Sequence, residues 1–393
     1  MLIGLSIATA ACFGGAFAVY RTLPAPAARI KLNQMFRLGD ICFKRKPHKG
    51  KEIKKFPIIQ RVTEKASCIE MVFSIPTGLD PKEIYKHDWL FKQTFGNEIN
   101  LKGDAKTFVL NIYNEGIKPF YYDLPLMMQQ LKKHRLGIVV GESRDKFESY
   151  DMTKRPHLLI AGETGSGKST QLRSILTTLI HGYEPEQLEL YLGDLKRSEF
   201  FLFDRVEHVK ANVVDAKALY RTLLQISKEM KRRGDLLHEA EVAHVDDLDD
   251  KLPYMVVCID EFALLKKEKD IMEIVEEISS IGRALGVFLI LSCLRPDAEV
   301  LDGKLKQNLT VRMAFKHADA INSRITIGTD EAADIRQSDS GRMYLKMDGL
   351  KLVQAPHLEL EDAKKLLEPF KKRKAPKEEP TDKNIDTWGV LDE

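Results

Sequence analysis

Met1–Tyr20 opens the chain with twenty residues that carry no Asp, Glu, Lys, Arg or His. A helix of that length spans about 30 Å, which matches the hydrocarbon core of a bilayer, so the run predicts a transmembrane anchor over residues 1–20. From about Ile58 to Lys133, short apolar runs alternate with helical patches. Cys68–Ile75 (CIEMVFSI) reads as a strand, Pro76–Gly78 as a turn, Pro81–Phe95 as a helix and Thr107–Tyr113 (TFVLNIY) as a second strand. This pattern predicts a small α+β domain over residues 56–135, with Trp89, Phe91 and Phe95 at the helical spacing of core residues. From Leu136 the pattern changes to apolar strands separated by long helices. That alternation predicts an α/β domain with a mostly parallel sheet over residues 136–369. The highly charged residues 370–393 read as a flexible tail.

Composition adds limits rather than detail. A chain of 393 residues with 44% hydrophobic and 30% charged residues has room for two or three ordinary globular domains. The five cysteines are scattered, with no CxxC pair, which argues against a zinc module or a disulfide scaffold. The net charge of +3 says little, but its placement says more. Residues 21–55 hold eleven Lys/Arg against two acids, and nothing basic precedes the first apolar run. The second fact argues against a cleaved signal peptide. The first places that flank in the cytoplasm by the positive-inside rule. The expectation is a single-pass protein of the cell membrane, with residues 21–55 as a basic juxtamembrane linker. Lys44–Lys55 (KRKPHKGKEIKK) suits anionic lipid head groups or, alternatively, nucleic-acid phosphates.

The chemistry concentrates downstream. Residues 157–170 read HLLIAGETGSGKST, an apolar strand running into GxxxxGK[ST] and then a Leu- and Ile-rich helix. Glycines 162, 165 and 167 let backbone N–H groups converge on phosphate oxygens, and the following helix directs its positive end at the same anion. Gly162, Glu163, Thr164, Gly165, Ser166, Gly167, Lys168, Ser169 and Thr170 are therefore candidates to hold ATP. Lys168 would reach the β- and γ-phosphates, and the Ser169 hydroxyl would ligate Mg²⁺. The alternative is a chance glycine-rich turn, which the flanking strand and helix disfavour. Tyr254–Ile259 is a second apolar strand, ending in Asp260-Glu261. Asp260 suits a water-bridged Mg²⁺ contact and Glu261 a general base, against the alternative of an acid pair capping the next helix. Two more strands end in polar residues, at Asp194-Leu195-Lys196 and at Ser292-Cys293-Leu294-Arg295-Pro296.

Taken in order, PHLLIAGETGSGKS, LYLGDLK, LPYMVVCIDEFALL, IGRALGVFLILSCLRP, LKQNLTVRMAF and NSRITI resemble the FtsK/SpoIIIE motor family over about Leu136–Leu345. The resemblance implies a RecA-like P-loop ATPase that forms a ring hexamer and moves double-stranded DNA. Lys168 and Ser169 match its Walker A pair, and Asp260 and Glu261 its Walker B pair. Arg283 falls where the family carries an arginine that acts as a finger into the neighbouring subunit; it also reads as a helix C-terminal arginine before Gly286. Leu294 departs from the family's chromosomal members, which have Gln there, so that any phosphate-sensing role is lost or moved to Ser292.

One anchor, a small domain and one motor look most like the coupling proteins of Gram-positive integrative and conjugative elements. On that likeness the expectation is a membrane-anchored ATPase that delivers DNA to a transport channel. Its expected partners are DNA, the membrane, a relaxase and conjugation channel proteins. The alternatives are an FtsK/SpoIIIE-type ATPase of a protein secretion system and a chromosome- or plasmid-partitioning motor. Candidate DNA contacts are Lys196, Arg197, Lys304 and Lys306, each of which also reads as a plain solvated cation.

Overall fold

In the computed structural model, residues 24–45, 51–65, 67–96, 98–296, 301 and 303–372 are described, and the chain divides between Gly116 and Ile117 into two units. The first unit begins with helix α1 (Pro24–Leu38) and an antiparallel pair, β1 (Phe43–Arg45) and β2 (Ile53–Lys55). A four-stranded antiparallel sheet follows, built from β3 (Ile58–Glu64), β4 (Cys68–Ser74), β5 (Ile99–Gly103) and β6 (Thr107–Tyr113) in the order β3-β4-β6-β5. Helices α2 (Pro81–Lys86) and α3 (Asp88–Phe95) lie between β4 and β5 in the chain. The core is aromatic: Phe73 stacks on Phe108 at 5.5 Å between centroids and meets Phe36 of α1 at 5.1 Å.

Two expectations change here. The linker over 21–55 is structured where described, because Leu32, Met35 and Phe36 of α1 are fully buried. Trp89 is 61% exposed while Phe91, two positions on, is wholly buried, so only part of that aromatic set is core. Within the basic stretch, Lys44 and Lys54 both pair with Asp40 and hold its carboxyl well below the usual range.

The expected anchor over residues 1–20 lies outside the described residues, as do 373–393 of the expected tail. Among the described residues no helix is long and apolar enough to cross a membrane. The reading of a single-pass cell-membrane protein is corrected accordingly.

The second unit opens with β7 (Phe120–Tyr121) and α4 (Leu124–Leu131), so residues 117–135 pack with this unit and not with the small sheet. Then come β8 (Gly137–Ser143), β9 (Phe147–Asp151), β10 (Leu158–Ala161), α5 (Lys168–Gly182), β11 (Leu188–Asp194), β12 (Val209–Val213) and α6 (Ala216–Glu239). They continue with β13 (Tyr254–Asp260), α7 (Lys269–Ile281), β14 (Val287–Cys293), α8 (Gly303–Asn308), β15 (Val311–Phe315) and α9 (Ala320–Ile327). The unit closes with β16 (Arg342–Lys346), β17 (Leu350–Gln354), β18 (Pro356–His357) and α10 (Leu360–Leu367).

Ten of these strands form one sheet in the order β12-β11-β13-β14-β10-β15-β16-β17-β8-β9. β12 through β15 in that order are parallel, but every pairing from β15 onward is antiparallel. The expected mostly parallel sheet is therefore corrected to a mixed one. The cause is connection length: three residues join β8 to β9 and three join β16 to β17, whereas a parallel return takes a dozen or more.

The parallel half is buried on both faces, which is why its strands are apolar throughout. Successive residues feed opposite cores: Leu158 and Ile160 pack with Leu172, Ile175 and Leu179 of α5, while Leu159 and Ala161 share a cluster with Leu219, Leu223 and Ile226 of α6. This three-layer packing fixes the carboxyl ends of β10, β11, β13 and β14 along one edge of the sheet.

Candidate functional site

That edge carries the glycine-rich loop. Gly162 lies at φ 153°, Gly165 at 78° and Gly167 at 113°, values that L side chains rarely adopt. The loop is pinned from both sides by backbone bonds. Gly162 N donates to Cys293 O at 3.3 Å, Glu163 N to Lys316 O at 2.8 Å, and Gly341 N to Ser166 O at 2.9 Å. Ser340 Oγ adds a bond to Gly165 O at 3.2 Å. Helix α5 starts at Lys168 with no acidic residue in its first turn, leaving its positive end open to an anion.

Lys168 is buried, and its ammonium donates to Gly162 O at 2.7 Å and Glu163 O at 3.3 Å. Burial pushes its pKa down, with Asp260 and Glu261 pulling the other way. Asp260 ends β13, and burial pushes its carboxyl above the usual range, opposed first by the Ser292 hydroxyl and less by the Lys168 charge. Glu261 sits in the left-handed region at φ 48°, ψ 49°, a conformation that costs a non-glycine residue about 1–3 kcal/mol. Both of its carboxylate oxygens are held: Oε1 accepts from Leu294 N at 3.2 Å and Oε2 from Lys196 Nζ at 2.6 Å.

The turn after β11 completes this edge. The Asp194 carboxylate accepts the backbone N–H groups of Ser198 at 3.1 Å, Glu199 at 2.9 Å and Phe200 at 3.0 Å, which fixes the turn. Glu199 faces the loop; burial raises its pKa, opposed by the neighbouring Ser169 hydroxyl. Sequence reasoning missed Glu199, whose only signal is its position five residues beyond a strand-ending aspartate.

Asp260 and the Ser169 hydroxyl offer hard oxygen donors beside the phosphate loop, with the buried Ser292 hydroxyl against the Asp260 carboxylate. Such a donor set fits Mg²⁺, which keeps several waters and takes only one or two protein ligands beside substrate phosphates.

Lys168, Ser169, Glu199, Asp260 and Glu261 line a cavity of about 450 Å³. Its far wall is formed by Phe120, Tyr121, Pro356 and His357, where β7 pairs with β18. The rings of Tyr121 and His357 meet edge to face at 6.0 Å, and Tyr121 is 71% exposed. This wall was not legible because its two strands are short and more than 230 residues apart in the chain.

The remaining candidates are dispersed. Arg283 donates Nε to Thr153 O at 3.0 Å and lies four residues ahead of β14. The seven residues of that strand separate it from the loop by about 20 Å, so it does not reach the loop of its own chain. Lys196 is engaged with Glu261, and Arg197 beside it is exposed at φ 57°. Lys304 and Lys306 lie on α8, ahead of the amino end of β15, and hence toward the opposite edge of the sheet. The structure therefore does not gather the four candidate DNA contacts into one patch.

Residues 126–252 match the model of the FtsK/SpoIIIE family. The DNA translocase FtsK of Helicobacter pylori (strain J99) is 33% identical over 240 residues, 57% of this chain and 28% of that protein. The DNA translocase SftA of Bacillus subtilis (strain 168) is 34% identical over 189 residues, 45% of this chain and 20% of that one. The chain thus spans under a third of the length of these curated relatives.

Among solved structures, the pCW3 conjugation coupling protein TcpA in its monomer form superposes with a TM-score of 0.58 at 24% identity, covering 80% of this chain and 93% of that one. The cytoplasmic domain of the Thermomonospora curvata type VII secretion ATPase EccC gives 0.56 at 24% identity, covering 65% and 33%. Both likenesses establish a RecA-like P-loop ATPase fold.

The expectation of a membrane-anchored coupling protein for conjugative transfer is corrected by these findings. No described helix is long and apolar enough to span a membrane, the curated relatives named above are DNA translocases, and the fold is also shared with a secretion ATPase. They favour the alternative reading, an FtsK/SpoIIIE-type ATPase of a protein secretion system or a DNA-partitioning motor.

Proposed function

From the match of residues 126–252 to the FtsK/SpoIIIE family model, we propose that the motor unit is an ATP-hydrolysing motor of that family that moves DNA, working as a ring of identical subunits. The observation that carries the reading is the convergence of a braced phosphate loop, Lys168, Asp260 and Glu261 on one cavity. In this reading the N–H groups of Gly165, Gly167, Lys168 and Ser169 hold the phosphates together with the Lys168 ammonium, which exchanges the loop carbonyls it now contacts for them. Ser169 and Asp260 hold Mg²⁺, which when bound neutralises charge on the phosphates. Glu261 takes a proton from the attacking water. Arg283 does not reach its own loop, and in this reading it serves as a finger toward a neighbouring subunit's nucleotide.

The test is the ATPase rate of the full chain with and without duplex DNA. Counterion release makes DNA affinity fall about 10³–10⁵-fold between 50 and 200 mM salt for a protein with six to ten phosphate contacts. The expected result is DNA stimulation that disappears over that salt range. Hydrolysis indifferent to DNA at either salt would transfer the reading to a polypeptide motor, which the EccC likeness favours as the second choice.

The aromatic wall makes a further expectation. With phosphates on the loop, the purine base lies against Tyr121 and His357. Tyr121→Ala should raise KM for ATP about tenfold, since losing one base–ring stacking contact costs about 1–3 kcal/mol. Its kcat should stay within about twofold, and inhibition by tripolyphosphate, which has no base, should not change. Equal weakening toward both ligands would show that Tyr121 serves the fold instead.

A further inference from the structure

Lys196 is paired, yet its surroundings do not require it to stay so. Its ammonium carries three donors and makes a 2.6 Å bond to Glu261 Oε2, while 36% of the side chain remains exposed. The backbone beneath it is fixed, because Asp194 binds the three N–H groups that follow and its carbonyl accepts Arg197 N at 3.0 Å. What can move is the four-carbon stem, which lines the same cavity as Gly167, Lys168 and Ser169.

Glu261 is held independently. If Lys196 leaves, Oε1 keeps its bond to Leu294 N, so the carboxylate retains its place while Oε2 becomes free. The backbone N–H of Leu294 does this whatever its side chain, which makes the apolar residue at that position compatible with a working glutamate. A terminal phosphate bound on the loop brings up to two negative charges into a cavity whose other lysine, Lys168, is buried at the loop. A flexible ammonium within the same cavity meets a stronger partner there than a single carboxylate.

We propose that Lys196 is a γ-phosphate-binding residue: it leaves Glu261 for the terminal phosphate of ATP, which frees Oε2 to receive the proton of water, and it returns when only ADP is present. This rests on the nucleotide reading of the loop and extends it to a residue that distinguishes triphosphate from diphosphate. The exchange couples two events that must coincide, arrival of the γ-phosphate and release of the base.

The experiment is calorimetric titration of the full chain, with Mg²⁺, by ADP and by the slowly hydrolysed ATPγS. Lys196→Ala should weaken ATPγS about tenfold or more while ADP affinity stays within about twofold, and Lys196→Arg should recover part of the difference. Thermal unfolding of both variants should match the parent, since the side chain is partly exposed and outside the core. Equal loss for both nucleotides would make Lys196 a support for the turn, and no loss for either would make it a partner of Glu261 alone; both results overturn the proposal. If the parent chain bound neither nucleotide, the reading of the loop would itself fail, a result distinct from either.

Discussion

Glu261→Gln is expected to lower the steady-state rate of ATP hydrolysis by about 10²–10⁴-fold, the usual contribution of a positioned general base, with nucleotide affinity changed less than about threefold. The substitution is close to isosteric. The amide carbonyl still accepts the Leu294 N–H at the position of Oε1, and the left-handed backbone at φ 48° keeps the side chain aimed into the cavity. What disappears is the second basic oxygen, and with it both the proton acceptor and the anionic partner of Lys196. Glu261→Ala is a poorer test because it also removes the acceptor of the Leu294 N–H and leaves that donor unpaired. Single-turnover hydrolysis of pre-bound ATP separates the cases. Retention of more than a tenth of the parent rate would remove Glu261 from the chemistry and turn attention to Glu199, whose pKa burial raises.

The strained backbone at Glu261 also explains why the sequence exposes this site so plainly. A strand buried from Met255 to Asp260 must end in a group that tolerates the sheet edge, and the chain turns sharply there. Such local signals survive in the sequence: apolar runs of strand length, glycines at fixed offsets, and acids at strand ends. Strand Thr107–Tyr113 and helix start Lys168 are legible for the same reason. Other features depend on pairings between distant segments and leave no local trace. The parallel bridge of Phe120–Tyr121 with Pro356–His357 creates the aromatic wall, yet neither dipeptide has a period to read. The Lys196–Glu261 pair spans 65 residues, so the lysine reads as an ordinary surface cation until the fold closes it. The antiparallel half of the sheet is an intermediate case. Its three-residue connections are visible in the chain, but β16 (RMYLK) and β17 (LKLVQ) carry lysines at strand positions and lack the apolar run that marks the parallel strands.

Gly167→Ala should abolish measurable nucleotide binding, a loss of at least about a hundredfold, while Gly165→Ala weakens it by no more than about tenfold. Both positions lie at positive φ, so sequence logic alone treats them alike. Their surroundings do not. A Cβ on Gly165 meets nothing within 4 Å, and its φ of 78° is near the left-handed well that other residues reach at a cost of about 1–2 kcal/mol. A Cβ on Gly167 would sit 2.8 Å from Gly341 Cα and 2.9 Å from Gly341 N, both backbone atoms with no rotamer to give way. Gly341 in turn is tied by its N–H to Ser166 O and by its carbonyl to Ala355 N at 2.8 Å, so it cannot retreat without disturbing β17 and the aromatic wall. The φ of 113° adds strain that no side chain relieves. The loop must therefore move, and the N–H groups that converge on the phosphates move with it. Calorimetric titration with ADP measures the effect, and circular dichroism shows whether the three-layer core survives, as its independence from the loop predicts. Comparable affinities for the two variants would mean that the 340–341 segment does not brace the loop in solution, and the contrast between the two glycines would collapse to backbone preference alone.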